Sequence, residues 1–305
     1  SVNFTSFLTF SQASQIFTLS LHDALPIFDN DVDEDALPAA TGVYAYCIGE
    51  TEMTYELWSE VYEWAVNGTG TATGEGEYTF ANAGGRGGYN DGSWMVYDSG
   101  HEIHPVTMVN WRDSMVWCNA LTEWYNAHNG TGYECVYTYS SAVIRDSRDT
   151  NGTACDGAVA GSTAKGFRLL AGNEYELAAR YRDGTLWTYG DHASGDDSGA
   201  CYNDGSILGG LEMSTVYGDY TVYMNNSSDT TAEVASKTDN ALGLYDMSGN
   251  VWEWCYDQDS FSLRMVRGGS FSNGSMYMQV GFSSTAWNPH DEYVLLGFRI
   301  ARSAD

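Results

Sequence analysis

Gly243-Leu-Tyr-Asp-Met-Ser-Gly-Asn-Val-Trp-Glu-Trp254 is the stretch whose reading decides the fold. Its glycines and Ser-Gly-Asn step mark a tight turn, and its Val-Trp-Glu-Trp end has the β-branched and aromatic character of a strand. Tyr245, Trp252 and Trp254 read as core side chains, and Glu253 as an acceptor for backbone N–H groups of the turn. Around it, the block 241–302 alternates glycine with aromatic and aliphatic residues, the pattern of short strands and tight turns. Further out, Val43-Tyr-Ala-Tyr-Cys-Ile48 alternates as a strand does. Thr54 caps a helix carrying Leu57, Trp58, Val61, Tyr62 and Ala65 at helical spacing. Asn110 or Asp113 caps a second, whose Met115, Trp117, Cys118, Leu121, Trp124 and Tyr125 form an apolar face. A short third helix covers 173–182. The segments 68–100, 129–165 and 183–240 are rich in Gly, Asn, Thr and Ser and read mostly as loops, with Cys135 and Cys155 placed to tie down the middle one. Loops of this length in a compact domain point to a functional surface or bound ions.

Composition narrows the partners. The 305 residues include 41 acidic and 13 basic ones, a formal net charge of −28, with Lys165 and Lys237 the only lysines. Such a surface repels phosphate backbones, so nucleic acid is not expected as a partner. The same field suits solubility, calcium binding or high salt, and composition does not choose among them. Six cysteines without a C-x-x-C pair fit either disulfides in an oxidising compartment or buried thiols. No apolar run is long enough for a transmembrane helix. Ser20 to Phe28 resembles a peptide that arises from translated sequencing-adapter DNA, and 29–34 is an acidic linker. Residues 1–37 are therefore set aside as an N-terminal segment, artefactual or linker, and 38–305 are taken as one domain.

Four segments, in order, resemble the sulfatase-modifying-factor family of formylglycine-generating-enzyme type. They are Tyr46-Cys-Ile-Gly-Glu-Thr-Glu-Met-Thr54; His104-Pro-Val-Thr-Met-Val-Asn-Trp-Arg-Asp113 with Trp117-Cys-Asn119; Gly166-Phe-Arg-Leu169 through Asn173-Glu-Tyr-Glu-Leu-Ala-Ala-Arg180; and the opening stretch with Arg267-Gly-Gly-Ser270 and Gly297-Phe-Arg299. The resemblance implies a single-domain, irregular, loop-rich α+β fold of C-type lectin-like type. It also implies a structural calcium ion at the turn, held by the side chains of Asp246 and Glu253 and the carbonyls of Gly249 and Val251, hard oxygen donors suited to that ion. One departure is Arg168-Leu-Leu-Ala-Gly172, where the family has a Pro turn followed by an acidic contact.

The family's catalytic chemistry is missing its ligands. Formylglycine-generating enzymes bind copper(I) with two cysteines beyond the R-G-G-S turn, because a soft metal needs thiolates. The matching positions here are Asn273 and Met278, and no cysteine follows Cys255, so no copper is expected. A second branch holds non-haem iron with three histidines, whereas His101-x-x-His104 is the only close pair here. The Gly84-Gly-Arg-Gly-Gly88 run lacks the lysine and following helix of a phosphate loop.

The C-terminal stretch, about 268–302, resembles the variable proteins of diversity-generating retroelements, in which adenine mutation rewrites scattered positions on a lectin-like frame. The frame survives as Arg267 to Phe271, Val280-Gly281, Asn288-Pro289 and Leu296 to Arg299. Mutating the adenines of an Asn codon cannot yield Met, Trp, Gln, Glu or Lys, which leaves Met276, Met278, Gln279, Trp287 and Glu292 as template residues. Candidate variable positions are Ser272, Asn273, Gly274, Tyr277, Phe282, Ser284, Thr285, Ala286, His290, Tyr293, Val294 and Leu295, and Trp287 joins them as a ligand contact. Rigid aromatics among small polar residues are the mixture that antibody loops use. The expected function is thus a non-catalytic ligand-binding protein, extracellular or at the cell surface, contacting a protein or other macromolecule through this surface. The alternative is a family enzyme with an atypical metal site near His101 and His104. A third possibility is a structural surface domain.

Overall fold

The computed structural model describes residues 16–19, 46–183, 188–201, 213–258 and 261–304, of which 16–19 and Ala286 by backbone only. Helix α1 (Tyr55–Asn67) starts where the Thr54 hydroxyl accepts from the Leu57 N–H at 3.3 Å, and it buries Trp58, Val61 and Ala65. Helix α2 (Trp111–Asn129) starts on a capping box. The Asn110 side chain accepts from the Asp113 N–H, and the Asp113 carboxylate accepts from the Asn110 N–H. Of the two expected caps, Asn110 is therefore the cap and Asp113 its reciprocal partner. Gly130, at φ 66°, ends the helix in the left-handed conformation that glycine adopts without strain.

Strand β1 (Ile16–Leu19) pairs with β2 (Tyr46–Gly49), which pairs with β14 (Ile300–Ser303) and through it with β9 (Phe167–Leu169), all antiparallel. A second sheet runs β12 (Ser283–Trp287), β11 (Arg264–Arg267), β10 (Trp252–Gln258), β13 (Leu296–Phe298), with the last pair parallel. Two three-stranded sheets complete the set: β4 (Met95–Tyr97), β3 (Gly85–Tyr89), β5 (Val106–Thr107), and β7 (Ala142–Val143), β6 (Tyr137–Tyr139), β8 (Val159–Ala160). Short α3 (Gly152–Asp156) and α4 (Gly172–Arg180) are the other α-helices described, beside three 3-10 turns at Asp149–Asn151, Tyr217–Asp219 and Ser275–Met278. This is the irregular, single-domain C-type lectin-like α+β fold expected from the sequence.

Two stretches expected as loops carry strands. The glycine run forms β3 because the neighbours press in: a Cβ on Gly85 would lie 2.5 Å from Val96 Cγ1. The 129–165 insertion is held not by a Cys135–Cys155 bridge, since both are free thiols, but by the β6–β8 sheet and by ion pairs. Arg112 reaches Asp149 and Asp156, and Arg145 reaches Glu123. At 168–172 the acidic contact is supplied two residues further on. Glu174 takes both terminal nitrogens of Arg168 and accepts from the Ala171 N–H at 2.9 Å, which starts α4 without the proline turn.

The core is aromatic. Trp58 and Trp117 stack at 5.5 Å, and Phe298 meets both edge-on. Four buried indole N–H groups find a backbone carbonyl: Trp58 that of Ala83, Trp111 that of Cys255, Trp117 that of Trp58, and Trp254 that of Val109. Each of these tryptophans therefore contributes area without an unmade hydrogen bond.

Candidate ligand-binding face

The turn of residues 243–254 is the mount. Asp246, Gly249 and Asn250 all have positive φ (56°, 98° and 59°). Gly249 is required there, since a Cβ would lie 2.4 Å from the Val222 carbonyl oxygen. The Asn250 side chain donates to Glu52 at 2.7 Å and accepts from the Ala232 N–H at 3.0 Å, while its carbonyl accepts from the Phe271 N–H. Glu52 also accepts from the Val251 N–H at 2.9 Å. One asparagine thus joins the exit of β2, the 221–232 loop and the start of the C-terminal face.

Glu253 faces Arg299. The guanidinium donates from Nε and Nη2 to the two carboxylate oxygens at 3.0 and 2.9 Å, and its remaining donors go to the carbonyls of Gly49, Glu50 and Tyr245. The Tyr175 hydroxyl also donates to Glu253, at 3.3 Å. Burial opposes the charge on Arg299, but Glu253 beside it holds its pKa above the ordinary value. Burial raises the carboxyls of Glu52, Glu253 and Asp246, the last to about 6, because one guanidinium serves three acids.

The calcium expectation can be tested on this arrangement. Asp246 Oδ2 accepts from the Ala235 N–H at 2.7 Å, and its buried Oδ1 has no partner, the one feature that would suit a cation. Glu253, however, spends both oxygens on Arg299. Gly249 and Val251 lie on the turn as expected, but the set fits an internal ion pair rather than a calcium cage.

The face itself begins at Ser270, whose hydroxyl donates to Asn273 Oδ1 at 2.6 Å. Backbone groups of the following segment are tied to residues outside it. Val280 N–H donates to the His192 carbonyl, Gly281 N–H to that of Gly190, and the Ser248 hydroxyl to that of Met278. Buried Arg267 donates to the carbonyls of Val280 and Phe282 and to Glu176 at 2.8 Å, and Glu176 in turn receives Arg180. The path of the chain is set by the frame, which leaves its outward side chains free to differ.

The expected contact residues divide into three groups. Ser272, Asn273, Gly274, Ser284 and Thr285 are half-buried, and His290 and Tyr293 are exposed. Asn273 is partly structural through its bond to Ser270. Tyr277, Phe282, Trp287 and Leu295 are half-buried and pack inward on the core: Tyr277 and Phe282 meet Trp252, and Trp287 meets Trp254. Ala286 lies in β12 and is described by its backbone alone. Val294 is a correction. It is 1% exposed and packed with Val222 and Phe271, so its side chain belongs to the buried frame and not to the outward surface. The reason is Gly88, which lets Val294 approach to where a Cβ would sit 2.6 Å away.

Among the described residues, the enzyme alternative gains no group of three metal-binding side chains. His104 is buried, with Nδ1 2.9 Å from the Thr231 hydroxyl, and His101 stacks on Tyr97 at 3.5 Å. Burial, then His101, depresses His104 to about 4, so it is neutral at pH 7. Of the two positions matching the copper cysteines, Met278 is buried in the core. Burial pushes the thiols of Cys118, Cys135, Cys155, Cys201 and Cys255 up, the opposite of a reactive thiolate.

Sequence reasoning missed the residues beside the face. Trp94 lies 6.4 Å from the Phe271 ring, and the Met224 N–H donates to the Asn273 carbonyl at 3.1 Å. Neither had a signal, because both sit in glycine- and asparagine-rich loops distant in sequence from 271.

Comparison with known proteins agrees with this geometry. Residues 26–304 match the family described as "Sulfatase-modifying factor enzyme 1-like domain". Among curated proteins, the chain is 30% identical over 164 residues to the chaperone protein LppX of Paenibacillus barcinonensis, covering 52% of this chain and 54% of that protein. The chain thus spans about half the length of that relative. Among solved structures, CarF superposes with a TM-score of 0.70 at 24% identity over 96% of this chain and 99% of that one. Variable protein 1 of Treponema denticola gives 0.66 at 24% identity, over 98% and 99%. PvdO from Pseudomonas aeruginosa gives 0.58 at 18% identity, over 98% of each chain. At these identities the structures show a shared fold.

Proposed function

We propose that this chain, which belongs to the sulfatase-modifying factor enzyme 1-like domain family, is a non-catalytic binding protein. Its surface between residues 272 and 293 meets a protein or other macromolecular ligand. One observation carries the reading: the backbone of this segment is bonded to fixed residues outside it, while Ser272, Ser284, Thr285, His290 and Tyr293 reach solvent. A surface so mounted can change its side chains without changing its fold. The loss of both copper-binding cysteines, at Asn273 and Met278, supports a binding rather than a chemical role.

The same proposal includes diversification of the outward positions by adenine mutation, and display outside the cell or at its surface. The likeness to a protein named a variable protein supports the first part.

The test is to sequence many copies of the gene's 3′ end from the source population. Substitutions clustered at codons 272–293, at adenines of a nearby template copy, are expected. If that stretch is as invariant as Gly249-Asn-Val-Trp-Glu253, diversification is ruled out. Binding is then tested separately, by the peptide selection described below.

A further inference from the structure

The exposed surface around the face does not stop at the C-terminal segment. Beneath it, Val222, Phe271 and Val294 form a small cluster apart from the main core, with Val96 and Met108 packed against it. That cluster draws two loops up to the face. From one, and from the start of β4 that follows it, Trp94 and Met95 stand 38% and 46% exposed, with the Trp94 ring beside Phe271. From the other, Met224 is 51% exposed and bonded through its N–H to Asn273. On the face itself Tyr293 is 48% exposed, and its carbonyl accepts from the Met108 N–H. Single exposed apolar residues are ordinary on a protein surface. Several large ones bordering one surface, over one shared cluster, mark a contact area.

Charge says what would cover it. The segments 89–100, 213–230 and 271–295 contain no Lys or Arg, but they hold Asp91, Asp98, Asp219, Asp229, Asp291 and Glu292. A second copy of a chain of net charge −28 would be repelled, as would an anionic membrane. A surface combining apolar side chains with cationic ones would be attracted.

We propose that Trp94, Met95 and Met224 are a fixed apolar rim of the binding face, and that the partner is a protein segment presenting apolar side chains beside Lys or Arg. The inference rests on the reading of residues 272–293 as a binding face. It adds a division of labour. Methionine is unbranched and polarizable and adapts to differently shaped partners. The rim therefore supplies affinity shared by every version of the face, while the outward positions of 272–293 supply discrimination.

The experiment selects binders to the immobilised full chain from a phage-displayed library of random peptides. The selected peptides, made synthetically, are then measured by biolayer interferometry against three proteins. These are the unaltered chain, a rim variant (Met95→Ser with Met224→Ser) and a face variant (His290→Ser with Tyr293→Ser). Expected are peptides enriched in aromatic or aliphatic residues next to Lys or Arg, weakened about tenfold or more by each variant and weakened further by salt. If the face variant loses binding and the rim variant does not, the rim is wrong and the binding face stands. If neither loses binding, or no peptide is selected, both are wrong. Selected peptides without basic residues overturn the partner chemistry. So does a dimer, seen by sedimentation of the unaltered chain, that the rim variant abolishes. Melting temperatures of all three proteins exclude misfolding, and Met224→Ser alone replaces the rim pair if the pair lowers it.

Discussion

Arg299 closes a two-pronged ion pair on Glu253, 46 residues earlier in the chain, with neither side chain more than 1% exposed. The remaining guanidinium donors reach three backbone carbonyls, two of them at the exit of the strand Tyr46–Gly49. The pair therefore joins the two ends of the domain at the turn that mounts the binding face.

Removing one partner of such a pair leaves the other charged and buried. Arg299→Met is expected to destabilise the protein by about 3–5 kcal/mol, measured by urea denaturation. Arg299→Lys should recover little of this, because an ammonium cannot span two carboxylate oxygens and three carbonyls. A loss below about 1 kcal/mol for Arg299→Met would show that the pair does not hold the fold.

Because the guanidinium occupies both oxygens of Glu253, calcium should contribute nothing at this turn. The melting temperature is expected to be the same in excess calcium and in excess EGTA. A rise that follows calcium concentration, and that Asp246→Asn removes, would restore Asp246 and Glu253 as ligands.

Two buried groups should give stability opposite dependences on pH. Asp246 is raised to about 6 by burial, so the folded state binds its proton more tightly than the unfolded chain does. Its contribution is full below about pH 4 and is lost as pH rises through about 6, an effect on the order of 3 kcal/mol. Asp246→Asn should remove that loss, making the variant relatively more stable at pH 7 than at pH 4. His104 is lowered to about 4 by burial and by His101. Its contribution is full above about pH 6.5 and is lost as pH falls through about 4. Thermal melts of Asp246→Asn and His104→Gln across pH 4–7 separate the two, and an NMR titration of the His104 ring that finds a midpoint near 6.5 would contradict its burial.

Neighbouring residues Val294 and Tyr293 should behave as frame and face. Val294→Ala is expected to cost about 2 kcal/mol, as truncation of a buried apolar side chain does. Tyr293→Ser should leave stability within about 0.5 kcal/mol and act on binding alone. Equal stability losses in the two variants would mean that the boundary between core and contact surface has been misdrawn.

Much of this molecule is written locally. Asn110 and Asp113 three residues apart form the capping box of the long helix, and Thr54 starts the first, because caps act within one turn of chain. The glycine, asparagine and tryptophans of 243–254 announce a tight turn entering a buried strand, and the absence of cysteine after Cys255 is the local reason that copper is not expected. The tertiary structure decided what depends on residues distant in sequence. Glu253 read as a backbone cap or a calcium ligand until Arg299 was seen against it, since a carboxylate serves an N–H, a metal or a guanidinium equally well. Val294 and Tyr293 differ by 1% against 48% exposure only because Gly88 opens a seat for one of them. Trp94 and Met224 became part of the face because a shared apolar cluster, invisible in either loop alone, gathers them beside Phe271 and Asn273.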